Sequence, residues 1–433
     1  RAQEGEDARL YQAVEALSNF CCELKINVPT GKDSLSMTQK YPNGEKVISP
    51  GTVIVTSGGQ VSDIKKVVSP VIQNIPSTLY HIDFSFDELR LGGSAFAQSL
   101  NKIGDDVPTV KDSDYFRTAF NAVQELIQKG LVLAGHDISA GGLVTTLLEM
   151  TFANTEGGLE ICLDKVKCDD IVKILFAENP GVVIQVDDKK KSEVKKLLDE
   201  AGVSYIKLGQ PCEERHILIE KEGTEYQLGI DYLRDVWYST SYLLDKHQSF
   251  NGKAKERFNN YKEQPLEWNM LPDFTGKLAQ YGLNPDRREK SGVRAAIIRE
   301  KGTNGEREMA YMLYLAGFDV KDVMMTDLIT GRETLDDINF IVFCGGFSNS
   351  DVLGSAKGWA GAFLYNDKAK EALDRFYARP DTLSLGVCNG CQLMVELGLV
   401  GKVADNNCGK AKMLHNDSHK FESNFVGVTV QTN

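Results

Sequence analysis

The chain is 433 residues long, 42% hydrophobic, with 49 basic against 61 acidic side chains; that is ordinary globular composition and enough chain for about three domains of roughly 150 residues. The acidic balance argues against nucleic acid as the main partner, while one small phosphorylated substrate needs only a local cluster of donors. No window approaches the roughly 18 apolar residues of a membrane span, and nine cysteines, an odd number with no signal peptide ahead of them, point to a reducing, cytoplasmic setting. The chain opens at Arg1, and the next residues read as the inside of a domain. A piece of a larger polypeptide is therefore expected.

Residues 9 to 24 place Leu10, Val14, Leu17, Phe20 and Cys21 on one helical side, with Cys21 and Cys22 read as space-filling. Gly31-Lys32-Asp33-Ser34 resembles the tail of a P-loop but fails its spacing, because Asp33 separates lysine from hydroxyl and Ile26 stands where the first glycine belongs. An anion-contacting turn and a solvated turn both remain open there. Val53 to Thr56 is a β-branched run and predicts a strand.

From Leu79 the elements lengthen. Leu79 to Phe84 predicts a strand, and Leu91-Gly92-Gly93-Ser94 leads into a small-residue helix whose first N–H groups could bind an anion. A helix over 114–129 precedes a buried strand at Leu131 to Ala134, which runs into Gly135-His136-Asp137-Ile138-Ser139-Ala140-Gly141-Gly142. A carboxylate at a strand end followed by paired glycines opening a helix has the parts of a metal–phosphate site; a capped tight turn is the equal alternative. His136 is read as a packed or hydrogen-bonded histidine. Asp187 to Lys191 opens a polar helix ending at Ala201-Gly202, its charges a solvated face. Residues 245 to 290, rich in Lys, Asn, Gln, Pro and Glu, predict an extended linker that Trp268, Met270 and Leu271 would pin.

The last third alternates cleanly: strands at Val293–Ile298, Val320–Met325 and Ile338–Cys344, with helices at Glu306–Ala316 and 368–377. That order predicts a doubly wound parallel sheet with function at the carboxyl ends of its strands. Two ends stand out. At Cys344-Gly345-Gly346-Phe347-Ser348, paired glycines can turn N–H groups toward an oxyanion. At Gly386-Val387-Cys388-Asn389-Gly390-Cys391-Gln392, a cysteine sits between a strand end that reads as buried (Leu383, Leu385) and a helix over Gln392 to Leu399 with Leu393, Met394 and Leu397 inward. This is a nucleophile elbow with cysteine in place of serine; the glycines permit the turn and the helix N-terminus favours thiolate. Cys388 and Cys391 also form a C-x-x-C pair, so a redox dithiol or half a zinc site competes. Only Cys408 follows, and no second C-x-x-C exists, which leaves zinc without partners and Cys391 as a helix-packing residue.

These residues resemble a known family. Residues 386–392, 344–348 and Arg299-Glu300-Lys301-Gly302-Thr303-Asn304 are similar to the glutaminase domain of phosphoribosylformylglycinamidine synthases, and Asn416-Asp417-Ser418-His419-Lys420-Phe421-Glu422 resembles that family's N-x-S-x-x-F-E element. Upstream, residues 31–37, Leu91 to Ala95 and His136 to Gly142 resemble its second synthetase half. The resemblance implies an AIR-synthetase-like (PurM-like) α+β domain followed by a doubly wound class I glutamine amidotransferase domain. The corresponding boundaries are a partial synthetase subdomain at 1–75, its C-terminal subdomain at 76–230, a linker at 231–290 and a truncated glutaminase at 291–433.

The implied reaction is an ATP- and glutamine-dependent amidation of formylglycinamide ribonucleotide in purine biosynthesis. Cys388 would form a glutamyl thioester and release ammonia, with N–H groups of Gly345, Gly346 and Asn389 holding the oxyanion. Phe347, Ser348, Gln392, Asn416, Ser418 and Phe421 would line the glutamine pocket. Gly92, Gly93, Ser94, Gly141 and Gly142 would hold the phosphates of ATP or ADP, and Asp137 would hold Mg²⁺ at an auxiliary nucleotide site. A glutaminase of this class also needs a His-x-Glu pair. The histidines after Cys388 are His415 and His419; His415 with Asp417 lies inside the pocket element and is not read as the base. An incomplete, inactive fragment lacking an N-terminal half and a C-terminal segment is expected. Rival readings are a glutaminase serving another nucleotide acceptor and a non-catalytic binding module with an idle thiol.

Overall fold

Ser77–Asp83 is buried on both faces, as a central strand must be. In the computed structural model, which describes residues 4–32, 37–263, 266–267, 271–400 and 411–429, it lies inside a seven-stranded sheet. The strand order is Ala134–Ile138, Gly181–Asp187, Ser77–Asp83, Tyr205–Cys212, Gly158–Cys162, His216–Lys221 and Thr224–Gly229. Neighbours are antiparallel except for Gly158–Cys162 beside His216–Lys221. Alternating side chains feed two cores. Tyr80 and Ile82 pack with Ala119, Val123 and Leu126 of helix Ser113–Gln128 and with Val194 and Leu198 of helix Lys191–Glu200. Leu79 packs on the other face with Leu143, Leu147 and Met150 of helix Gly142–Phe152. Helix Ser113–Gln128 begins where it does because the Asp112 carboxylate accepts the Tyr115 N–H at 2.9 Å.

The chain folds as two units, Arg1–Leu243 and Leu244–Asn433. The second is built on a four-stranded parallel sheet, Asp319–Met324, Arg294–Arg299, Phe340–Phe343, Leu383–Gly386. Ala296, Ile298, Ile341 and Phe343 face Trp359, Phe363, Leu373, Phe376 and Leu393, while Ala295, Ile297 and Val342 face Leu313 of helix Glu306–Leu315. Helices thus cover both faces, the doubly wound arrangement. Because the chain leaves Arg294–Arg299 first to one side and then to the other, the crevice of a switch point opens beyond the carboxyl ends of Arg294–Arg299 and Phe340–Phe343.

Several expected elements differ. Val53 to Thr56 is not a strand, and Ile54 is 85% exposed; the described pairing nearby is the hairpin of Thr38–Lys40 with Lys46–Ile48. Strand propensity without a partner edge gives no strand. The strand expected at Leu131 to Ala134 instead spans Ala134–Ile138, so Asp137 is inside the ladder, opposite Val182; Leu131 still closes the preceding helix through its N–H to the Leu126 carbonyl. The expected linker holds the end of helix Ile230–Gln248 and all of helix Lys253–Asn260, since Lys, Glu and Arg are good helix formers. Leu271 is exposed, and Trp268 and Met270 lie outside the described residues, as do Asp33 and Ser34. Leu383 and Leu385 are exposed, their strand being the last of the sheet among the described residues. Among the described residues no helix is long and apolar enough to cross a membrane.

Candidate active site

The elbow begins where strand Leu383–Gly386 ends. Val387 donates its N–H to the Phe343 carbonyl at 3.1 Å, extending the ladder by one bond, and helix Asn389–Glu396 starts two residues later. The reversal falls on Cys388, whose φ of 55° and ψ of −112° no L-residue adopts without strain. What holds it there is packing. A methyl group at Gly390 would lie 2.1 Å from the Phe343 carbonyl oxygen, so only glycine lets the helix start press against the neighbouring strand. The helix starts three residues earlier than expected, and Leu393 is fully buried beneath it. Cys388 is exposed.

The partner loop leaves the adjacent strand. A Cβ on Gly345 would sit 3.1 Å from the Cys388 Cβ and 3.8 Å from its Sγ; the loop backbone therefore runs against the thiol. Thr303 and Asn304 pair antiparallel with Gly346 and Gly345, and Asn349 donates its N–H to the Lys301 carbonyl at 2.7 Å. The segment 299–304 thereby fixes the loop from its outer side. Among the described residues no acceptor takes the Asn389 N–H, the first of its helix. Gly345 main chain thus lies against one exposed thiol whose own helix opens on an N–H without an acceptor among the described residues, while Gly346 packs on Gly302 to Asn304. Cys344 is no rival nucleophile, since burial, reinforced by Glu306 and Asp322, pushes its thiol up to about 11.

Of the residues expected to line a glutamine pocket, three meet here. Phe347 is 73% exposed on the loop. Ser348 is buried and donates to the Asn389 Oδ1 at 2.5 Å, and Gln392 accepts from the Asn389 Nδ2 at 3.1 Å. The same Nδ2 donates to Asp351 Oδ1 at 3.2 Å. Asp351 was not foreseen; its sequence signal, an acid three residues past a buried serine, is too ordinary to be noticed.

Asn416, Ser418 and Phe421 are placed elsewhere. Asn416 Nδ2 donates to the Lys420 carbonyl at 2.9 Å, and Phe421 is 87% exposed. Ser418 is buried and donates to Glu422, whose carboxylate takes the Arg257 guanidinium at 2.8 and 2.9 Å. Arg257 also holds Asp245 at 2.8 and 3.0 Å, and Lys420 reaches Asp245 at 2.5 Å. Arg257 and Lys420 hold the Asp245 carboxyl well below its usual range, and the Ser418 hydroxyl and Arg257 lower that of Glu422. His419 packs on Phe250 at 5.0 Å and on His415 at 6.3 Å. The described contacts of this segment run to residues 245–257, not to Cys388. Cys408 lies outside the described residues, and Cys388 and Cys391 are free thiols.

In the first unit the glycine turns are filled from within. Gly92 donates its N–H to the Asp106 carbonyl at 2.8 Å, Gly93 to Ile103 at 2.7 Å, Ser94 to Leu91 at 3.3 Å and Gly142 to Ser139 at 2.9 Å. Glu178 Oε1 accepts from Gly141 at 2.8 Å and from Ala95 at 2.7 Å, so one carboxylate joins both turns where a phosphate oxygen was expected. Asp137 is 69% exposed. His136, as read from sequence, is hydrogen-bonded: Nδ1 lies 2.7 Å from the Asp137 carbonyl and Nε2 3.2 Å from Glu149, which also accepts from Trp237 Nε1 at 2.9 Å. Among the described residues no three His, Cys, Asp or Glu side chains gather where they could hold a metal ion. Mg²⁺ commonly uses one or two carboxylates plus phosphates and water, a role a single exposed Asp137 fits.

Comparison with known proteins agrees with this division. Residues 292–433 match the family of CobB/CobQ-like glutamine amidotransferase domains, residues 80–220 the C-terminal domain of AIR synthase related proteins, and residues 1–60 the FGAR-AT PurM_N-like domain. A probable phosphoribosylformylglycinamidine synthase, chloroplastic/mitochondrial, of Arabidopsis thaliana is 38% identical over 440 residues, 99% of this chain and 30% of its own length. The Homo sapiens phosphoribosylformylglycinamidine synthase is 37% identical over 448 residues, 98% of this chain and 33% of its own. The chain thus spans about a third of the relatives it matches. Among solved structures, T. maritima PurL complexed with FGAR is 16% identical, with a TM-score of 0.33 over 40% of this chain and 30% of that one, too slight a likeness to bear on function.

Proposed function

Because the chain belongs to the phosphoribosylformylglycinamidine synthase family, with an AIR-synthetase-like domain ahead of a glutamine amidotransferase domain, we propose that Cys388 is the nucleophile that takes nitrogen from glutamine. The observation that carries this reading is the exposed thiol held at φ 55° with the Gly345 backbone against it. Attack of Sγ on the side-chain amide carbon of glutamine forms a tetrahedral oxyanion. Its charge develops between the Asn389 N–H and the Gly345–Gly346 main chain, where preorganised donors act without reorganising. Collapse breaks the C–N bond, a proton goes to the departing nitrogen as ammonia leaves, and water then hydrolyses the glutamyl thioester to glutamate.

The acceptor would be formylglycinamide ribonucleotide, its formyl oxygen activated by ATP, with Mg²⁺ held in part by Asp137 and with the reaction cytoplasmic. Glycines 92, 93, 141 and 142 and Ser94 would shape the nucleotide turns, though through backbone geometry more than free N–H groups. The domain boundaries at 75, 230 and 290 belong to the same reading.

A thiol nucleophile of this class needs a histidine oriented by a carboxylate, and His419 packs on Phe250 while His415 stacks on His419, with no described contact to Cys388. The 433 residues alone should therefore release no glutamate. The test is glutamate release from glutamine by this chain, by Cys388→Ala, and by a version extended to the length of its relatives. Silence from the short chain with activity in the long one, lost in Cys388→Ala, supports the reading. Activity in the short chain that disappears in Cys388→Ala would make His415 and Asp417 the base. Activity that survives Cys388→Ala overturns the nucleophile.

A further inference from the structure

The thiol and the loop that faces it are carried by two different strands, and both stand in backbone conformations that need support. Cys388 has φ 55°. Asn349, Ser350 and Asp351 form an unbroken run at φ 50°, 56° and 49°, none of them glycine. Such residues persist only where their surroundings over-determine them, so a run of three needs an anchor. The side chain that bridges the two strained segments is Asn389, which is 2% exposed. Its Oδ1 accepts from Ser348 on the loop at 2.5 Å, and its Nδ2 donates to Asp351 at 3.2 Å and to Gln392 at 3.1 Å. Asp351 Oδ1 also accepts the Ala356 N–H at 3.3 Å, which ties the far end of the loop to the helix Lys357–Leu364 that follows.

We propose that Asp351 is a positioning residue for the glutaminase reaction: through the Asn389 amide it fixes the Gly345–Gly346 main chain relative to the Cys388 thiol. The inference rests on the reading of Cys388 as the nucleophile. Asp351 touches neither the thiol nor a reacting atom. It acts by aligning the Asn389 carboxamide, which has one oxygen and one NH₂ to share among three partners. With the carboxylate in place, Nδ2 points to the loop and Oδ1 is left for Ser348. Without it only Gln392 restrains the Nδ2 side of the amide, the tie between helix start and loop loses its carboxylate, and the loop carrying the oxyanion main chain is freer to drift. A displacement of about 1 Å in such a constellation costs up to roughly 100-fold.

The experiment compares two alkylating agents on the same thiol. 6-Diazo-5-oxo-L-norleucine resembles glutamine and needs the oxyanion main chain to react; iodoacetamide needs only an accessible thiolate. Rates at Cys388 and Cys391 would be read by peptide mass spectrometry in the version extended to the length of the relatives, and in the same version carrying Asp351→Ala or Asp351→Asn. Asp351→Ala should slow the diazo ketone at Cys388 about tenfold or more while iodoacetamide stays within about twofold, and Asp351→Asn, which keeps an acceptor oxygen, should restore most of the difference. Equal slowing of both reagents would mean Asp351 is only structural, and no slowing of either would mean it does nothing here; each overturns the proposal while leaving Cys388 as nucleophile. Failure of that underlying reading looks different: in the unsubstituted extended version the diazo ketone would label Cys388 no faster than Cys391, and both proposals would fall together.

Discussion

Two glycine-punctuated strand ends in this molecule read alike in sequence and end up chemically opposite. At Ile138-Ser139-Ala140-Gly141-Gly142 and at Gly92-Gly93-Ser94 the turn amides are spent on the protein itself, with Glu178 closing two of them. At Cys344-Gly345-Gly346 and Val387-Cys388-Asn389 the main chain encloses an exposed thiol, and the polar side chains are spent on one another behind it. Glycine supplies close approach in both places. What separates the two is that the turn amides of the first are taken by the protein's own acceptors, whereas the Asn389 N–H beside the thiol has none among the described residues.

The largest effect expected is at the thiol. In a version extended to the length of the relatives, Cys388→Ala should lower glutamate release by at least about 10⁴-fold, since removing the nucleophile of a catalytic unit removes nearly everything the unit does. The comparison would break if the loss were only a few-fold. Gly390→Ala comes next. Its Cβ would meet the Phe343 carbonyl at 2.1 Å, and backbone against backbone cannot yield by a rotamer change, so chemical denaturation should show a loss of about 1–3 kcal/mol or more. Glutamine-mimic labelling of Cys388 should fall with it.

The sheet that carries this elbow was legible because parallel strands buried on both faces leave continuous apolar runs, as at Ile338 to Cys344, and because Gly386-Val387-Cys388-Asn389-Gly390 marks a turn that little else explains. The edge was not legible: Leu383 and Leu385 are as apolar as a central strand but have no described neighbour on one side. Nor was the Val53 to Thr56 segment, where a run of β-branched residues found no edge to join. Side-chain commitments were the least visible. Nothing near Gly141 in sequence announces Glu178, and nothing near Asn389 announces Asp351.

Glu178→Ala tests the filled half of the comparison. It frees the exposed Ala95 amide and the part-buried Gly141 amide and should cost about 1 kcal/mol of stability, mostly from Gly141. If that carboxylate stands where a phosphate oxygen would bind, ADP with Mg²⁺ should raise the Tm of the variant more than that of the parent. An equal rise in both would show that Glu178 and nucleotide do not compete.

The smallest effect expected is at Arg257, where the polar groups of the 416–422 segment are filled in the same manner. Asp245 and Glu422 both have carboxyls held below their usual values, by Arg257 and Lys420 and by Ser418 and Arg257 respectively. A carboxyl depressed in the folded state adds stability that is fully present above its unfolded value, near 3.9 for Asp and 4.3 for Glu, and is lost as pH falls toward the folded value. The parent should therefore be more stable than Arg257→Ala at pH 7, and the gap should begin to narrow near pH 5 and keep narrowing as pH falls below 4. Urea midpoints at pH 7, 5, 4 and 3 would show it. A gap unchanged over that range would mean Arg257 acts by packing its stem and not by its charge, and the segment would then be held by contacts that protonation cannot reach.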